Sequence, residues 1–202
     1  MLVVLLGLVV FIGGCGSYNG LVSSSQRADA EWAQVQNQYQ RRSDLIPNLV
    51  STVSGAANFE RSTLNDVVQA RAKVGQVQLN PNQAPANAAE LQQFEQAQGA
   101  LSSALSRLLV VVERYPELKA NANFQALQAQ LEGTENRIAV ARRDFNEAVR
   151  AFNTQAKRFP TVLVANMFGY REKPYFQATP ESATPPKVQF NFGATNPAPA
   201  QP

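Results

Sequence analysis

Large apolar residues recur every seven positions in the C-terminal half of the chain: Phe124, Leu131, Ile138, Phe145, Phe152 and Phe159. Leu127, Thr134, Ala141 and Ala148 fill the positions between them. Steps of three and four keep side chains on one stripe of an α-helix. A strand, with its two-residue period, cannot present this set to one side. The segment from about 120 to 158 is therefore expected to be one long amphipathic helix. Large residues at one seam position alternate with smaller ones at the other, which lets a neighbouring helix interdigitate. A strict seven-residue stripe also favours packing at about +20° with a left-handed supercoil.

Three other segments carry the same pattern. Ala28, Trp32, Val35 and Tyr39 alternate steps of four and three within a helix expected over about 18–44. Pro47 cannot continue a helix without losing a backbone bond, so a turn or sharp kink is expected there, with Ser43 or Asp44 capping a new start. A second helix is expected over about 46–78, with Ile46, Val50, Val53, Ala57, Glu60, Leu64, Val67, Arg71 and Val74 on its stripe. Glu60 and Arg71 are charged residues on that stripe. They are candidate polar core positions, an interaction site or register key, unless the stripe rotates and they snorkel at its edge. The stretch "QLNPNQAPANAA" is a loop. A third helix is expected over about 88–115, carrying Leu91, Phe94, Leu101, Leu105, Leu108, Val112 and Tyr115 and stopped by Pro116. With no β period, the expected fold is all-α: an antiparallel up-down-up-down four-helix bundle of long helices. From about Gln177 to Pro202 the chain is rich in Pro, Ala, Thr and Asn and is expected to be a disordered tail.

The N-terminus is of a different kind. Residues 1–14 read MLVVLLGLVVFIGG. As a helix they span about 21 Å, short of the roughly 30 Å hydrocarbon core, and their length suits a secretory signal. Ile12-Gly13-Gly14-Cys15 looks like a bacterial lipobox, with small residues admitting a peptidase and the thiol of Cys15 as the lipid attachment point. Met1 leads directly into Leu2 without the usual basic residue. The alternative is an uncleaved membrane helix with an incidental cysteine. Residues 1–15 are thus a lipoprotein signal peptide or a membrane anchor, and membrane lipid is the expected partner. In an up-down-up-down arrangement the chain after Phe159 returns to the anchored end. There Phe168, Tyr170, Tyr175 and Phe176 either meet the lipid interface or cap the open helix ends.

The composition narrows the chemistry. The chain has no histidine, so it lacks the commonest general base and transition-metal ligand. One cysteine among 202 residues makes neither an internal disulfide nor a thiolate zinc cage. The usual di-iron site of helical bundles needs Glu-x-x-His pairs, leaving only an all-carboxylate site formally open. A net charge of +3, scattered along the chain, offers no clustered basic face for nucleic acid. No catalytic residue and no cofactor is expected.

Several runs carry a resemblance: "YNGLV" at 18–22, "WAQVQNQYQRRSDLIPNLV" at 32–50, "ARAKV" at 70–74, the long stretch at 104–154, and "FP" followed by "GYREKPYF". Over about residues 18–176 the chain resembles the LemA family. The resemblance implies an antiparallel four-helix domain behind an N-terminal hydrophobic segment in a bacterial membrane, and it implies no enzyme activity. The family often has histidine before the second-helix glutamate, where this chain has Phe59 before Glu60. Members usually carry a fuller transmembrane helix. The expectation is a membrane-tethered, non-enzymatic envelope protein with an unknown envelope protein partner. A lipobox would place it outside the cytoplasm, and a membrane helix would make it an inner-membrane protein. A ligand- or ion-sensing bundle and a carboxylate-metal enzyme are the alternatives.

Overall fold

A computed structural model describes residues 1–56, 59–77 and 79–177. Side chains are described from residue 14 onward, and that of Met1. Among the described residues the fold is all-helical, with no strand. Helix α1 spans Leu2–Ser54, α2 Arg61–Gln76, α3 Ala88–Val112, α4 Pro116–Lys119, α5 Ala122–Lys157 and α6 Thr161–Met167. Among the described residues no helix is long and apolar enough to cross a membrane. The Pro- and Asn-rich stretch beyond Gln177 lies outside the described residues, as do Ala57 and the apolar side chains ahead of Gly14.

The seven-residue seam forms as its spacing requires. Phe124, Leu131, Ile138, Phe145 and Phe152 are all buried on α5, with Thr134, Ala141 and Ala148 beside them. Phe159 departs, because α5 stops at Lys157 and leaves this ring 81% exposed. Asn121 starts α5 by accepting from the backbone amides of Asn123 and Phe124 at 2.9 and 3.2 Å. Asn87 starts α3 similarly from the amide of Glu90, whose carboxylate reaches back to the amide of Ala86.

The expected break at Pro47 is absent. Helix α1 runs through it to Ser54, and the next helix begins at Arg61. The reason lies in the stripe. Tyr39, Arg42, Ile46, Leu49 and Val53 are all buried on one face spanning the proline. Stopping at residue 46 would expose the far half of that face, whereas a helical proline costs about 3 kcal/mol. Pro47 itself is exposed, so its ring displaces no packing. The residue lacks an N–H for the carbonyl of Ser43, and the Nε of Arg71 donates to that carbonyl at 3.2 Å instead.

Helix α1 packs along α5 in the opposite direction. Leu21 lies near Phe152 and Ala156, Trp32 near Phe145, and Ile46 in one cluster with Phe124 and Leu131. Helices α2 and α3 also run oppositely, with Glu60 bridging Arg114 and Asp66 bridging Arg107. The core falls into three apolar clusters along α1: one around Leu21, one around Trp32 and one around Ile46 and Leu49.

Relief of the Pro47 defect by Arg71 is measurable. Arg71→Met should cost about 0.5–1 kcal/mol in urea unfolding of the native chain and almost nothing beside Pro47→Ala, where residue 47 regains its own amide.

Candidate functional site

Along one side of the molecule α3 and α5 are separated by a groove of about 980 Å³, with α1 contributing Tyr39 and Arg42 to its lining. Arg42 is the largest buried charge, 1% exposed, and lies between the Trp32 cluster and the Ile46 cluster. Its Nη1 donates to Ser102 Oγ and to Glu135 Oε1, each at 2.8 Å. Its Nη2 donates to the backbone and side-chain oxygens of Gln98. The guanidinium also lies 5.0 Å from the centre of the Tyr39 ring. Only Nε has no partner among the described residues. Burying a guanidinium is costly unless its donors are met, and here two helices and one carboxylate meet them.

Further along the groove Arg142 donates to Glu95 at 2.7 Å, joining α5 to α3. Burial pushes the Glu95 carboxyl above its ordinary value, against the opposing pull of Arg142. Burial likewise raises the Tyr39 phenol, with Arg142 and Arg42 pulling it down.

One end of the groove is formed by the chain that follows α6. Gly169, at φ 73°, takes the left-handed conformation that ends α6, with the amides of Gly169 and Tyr170 bonded to the carbonyls of Asn166 and Ala165. Residues 170–177 then run back along α5 as a strap. Two asparagines seven residues apart grip its backbone. Asn153 exchanges both amide bonds with Lys173 at 2.9 Å, and Asn146 does the same with Phe176 at 3.0 and 2.9 Å. Lys173 also reaches Asp29 on α1 at 2.8 Å, and the same Asp29 oxygen accepts from the amide of Ala84. Phe176 is buried against Trp32 and Phe145, with the Arg142 guanidinium 4.5 Å from its ring centre. The aromatic residues after Phe159 therefore separate. Phe176 belongs to the core, Tyr170 caps Phe152, and Phe168 remains exposed beside Tyr18.

Cys15 is exposed on α1, between Gly14 and Gly16, where a side chain meets no neighbour. Glu60 sits in front of α2 at the surface, paired with Arg114, and Arg71 sits at the surface on the Ser43 carbonyl. These three are not brought together. Arg42 is absent from the candidate residues above, although the spacing points to it: 28, 32, 35, 39, 42, 46, 49 and 53 alternate steps of four and three without a gap. Ending the helix before Pro47 hides that continuity. Among the described residues no group of three His, Cys, Asp or Glu side chains could hold a metal ion.

An all-helical protein with a polar groove, a buried arginine and an apolar leading helix is thus defined. The chain belongs to the LemA family, whose model matches residues 31–190. It is similar to magnetosome protein MamQ 2 of Paramagnetospirillum magneticum, at 27% identity over 92% of this chain and 74% of the relative. Magnetosome protein MamQ of Magnetospirillum gryphiswaldense is 26% identical over 83% of this chain and 67% of its own length. Protein LemA of Metamycoplasma hominis is 24% identical over 81% of this chain and 70% of its own.

Two outcomes follow from the groove. Glu135→Ala strands the buried Arg42 charge and should lower urea-unfolding stability by about 1–3 kcal/mol, whereas beside Arg42→Met the same change should cost little. The raised Glu95 carboxyl has a definite sign. Below its ordinary value near 4.5 both folded and unfolded states hold the proton; above it the unfolded chain ionises first, so stability falls with rising pH until Glu95 in the fold ionises too. Glu95→Gln should remove that decline from a stability profile taken upward from pH 4.5.

Proposed function

We propose that the protein is a membrane-tethered, non-enzymatic module of the bacterial envelope that works by protein interaction. The observation that carries this reading is the continuity of α1. The apolar first 14 residues and the core-forming stripe from Leu21 to Val53 belong to one helix, Leu2–Ser54. Whatever holds the front of that helix in lipid holds the folded domain directly, with no flexible linker between. We read the long helices α1, α2, α3 and α5 as an antiparallel up-down-up-down four-helix bundle, supported by the opposed pairs α1–α5 and α2–α3. Cys15 is the proposed lipid attachment point. Its exposure, its small neighbours and its place at the end of the apolar run support acylation. That chemistry puts the domain outside the cytoplasm. Retention of residues 1–14 as a membrane helix is the alternative.

A second reading, a ligand-sensing domain, is favoured by the groove. Its volume of about 980 Å³ is in the range of small-molecule sites, and Arg42, Glu95, Glu135 and Arg142 converge on it. Under either reading the groove is the surface that distinguishes one partner from another, because its polar groups must be re-paired by whatever enters.

The tether is tested by intact mass after membrane extraction, wild type beside Cys15→Ala. The expected result is a wild-type chain that begins at residue 15 and carries added acyl mass, and a variant that keeps its full N-terminus without lipid. A wild-type chain that retains Met1 and has no lipid adduct would overturn acylation.

A further inference from the structure

Helix α6 divides into two apolar faces, and only one of them is covered. Val164 and Ala165, with Tyr170 after them, close over Leu21, Phe152 and Ala156. The opposite face carries Leu163 and Met167, four residues apart; Phe159 just ahead of the helix and Phe168 at its end are exposed as well. These are 61, 74, 81 and 55% exposed, which in a small domain is a concentrated apolar patch. Capping the bundle end accounts for the first face and leaves the second, apart from the contact of Phe168 with Tyr18, uncovered among the described residues.

The position of the patch indicates its occupant. The Phe168 ring lies 4.7 Å from that of Tyr18 on α1. Tyr18 is three residues beyond Cys15, about 4.5 Å along a helix axis. Through Phe168 the patch therefore meets α1 within about one helical turn of the exposed thiol and of the end of the apolar run at Gly14. Arg158 and Arg171 are exposed beside it in the chain, the sign expected near anionic headgroups, while Lys157 is paired with Glu172. An amphipathic helix at an interface buries its apolar face about 5–10 Å into the headgroup boundary, and aromatic rings favour that depth. A tether that ends at residue 15 puts the exposed face of α6 within that layer.

We propose that α6 is a second membrane contact: Phe159, Leu163, Met167 and Phe168 insert into the interfacial layer of the anionic bilayer that holds the N-terminus, fixing the tilt of the helices against it. The inference rests on the tethered reading above. A single tether leaves the domain free to swivel, whereas two contacts separated laterally set which face the groove presents away from the lipid.

The test uses the full chain reconstituted in vesicles of phosphatidylethanolamine and phosphatidylglycerol, with part of the lipid brominated on acyl carbons near the headgroup. Trp32 is the only native tryptophan and is fully buried, so it supplies a constant background. Phe168→Trp reports the patch. Leu163→Trp is a second reporter at an exposed position whose replacement disturbs no core contact. Val110→Trp, on exposed α3 near the opposite end, is the control. Brominated lipid should quench both patch reporters about twofold with a blue shift, while Val110→Trp shows no quenching above background. If the chain floats with the vesicles but the patch reporters are quenched no more than the control, the inference is overturned and the tether stands. If the chain fails to float, both are overturned. Unquenched reporters together with a dimer by light scattering would reassign the patch to a second copy of the chain.

Discussion

Trp32 stands where four parts of the chain meet, and their relative positions follow from how it is packed. Its ring contacts Phe94 from α3, Phe145 from α5 and Phe176 from the returning strap. Its indole N–H donates to the carbonyl of Asn80 in the loop between α2 and α3 at 3.0 Å. A large, flat side chain with one donor suits such a junction, because burial of the ring supplies the attraction and the N–H selects one orientation. One turn earlier Asp29 repeats the arrangement in polar form, holding the loop through Ala84 and the strap through Lys173. Helix α1 is therefore the element against which the loop, the strap and α5 are all placed.

On that frame, apolar and polar functions are segregated by position. Two apolar clusters flank a polar layer built on Arg42, Gln98, Ser102 and Glu135. Such a layer adds less stability than an apolar one would, but it permits only one register between α1, α3 and α5, because a slip would leave a buried guanidinium unmet. The same layer opens to the surface as the lining of the groove. At the other end of α1 the chain carries its apolar run, its thiol and the exposed face of α6. The domain thus has exposed apolar surface at one end and a groove with polar lining along its side.

Much of this was legible in the residues. The seven-residue seam of α5, the stripe of α3 from Leu91 to Val112 and the loop at the prolines near 81 and 85 follow directly from spacing and from the geometry of proline. At Pro47 packing outweighs the local preference for a turn. With Ile46, Leu49 and Val53 buried beyond the proline, and Arg71 reaching the carbonyl it strands, the penalty is offset from outside the helix. The place of Arg42 on the stripe likewise emerges only with the helix continuous through Pro47. Glu60 and Arg71 have the spacing of buried residues, yet α2 begins at Arg61 and its buried face is set by Thr63, Leu64, Val67 and Ala70.

Periodicity, composition and the apolar start were enough by themselves to determine an all-helical chain of long amphipathic segments, no histidine chemistry and a hydrophobic leading segment. Those properties depend on residues near one another in sequence, where helix geometry dictates who shares a face. Only the tertiary structure decided that Phe176 is core while Phe168 is surface, that Asn146 and Asn153 bind the strap, and that α3 and α5 stand apart over a buried arginine. Each depends on contacts between residues 20 to 144 positions apart, as in Asn153 with Lys173 and Trp32 with Phe176, and no local spacing encodes which distant partner arrives.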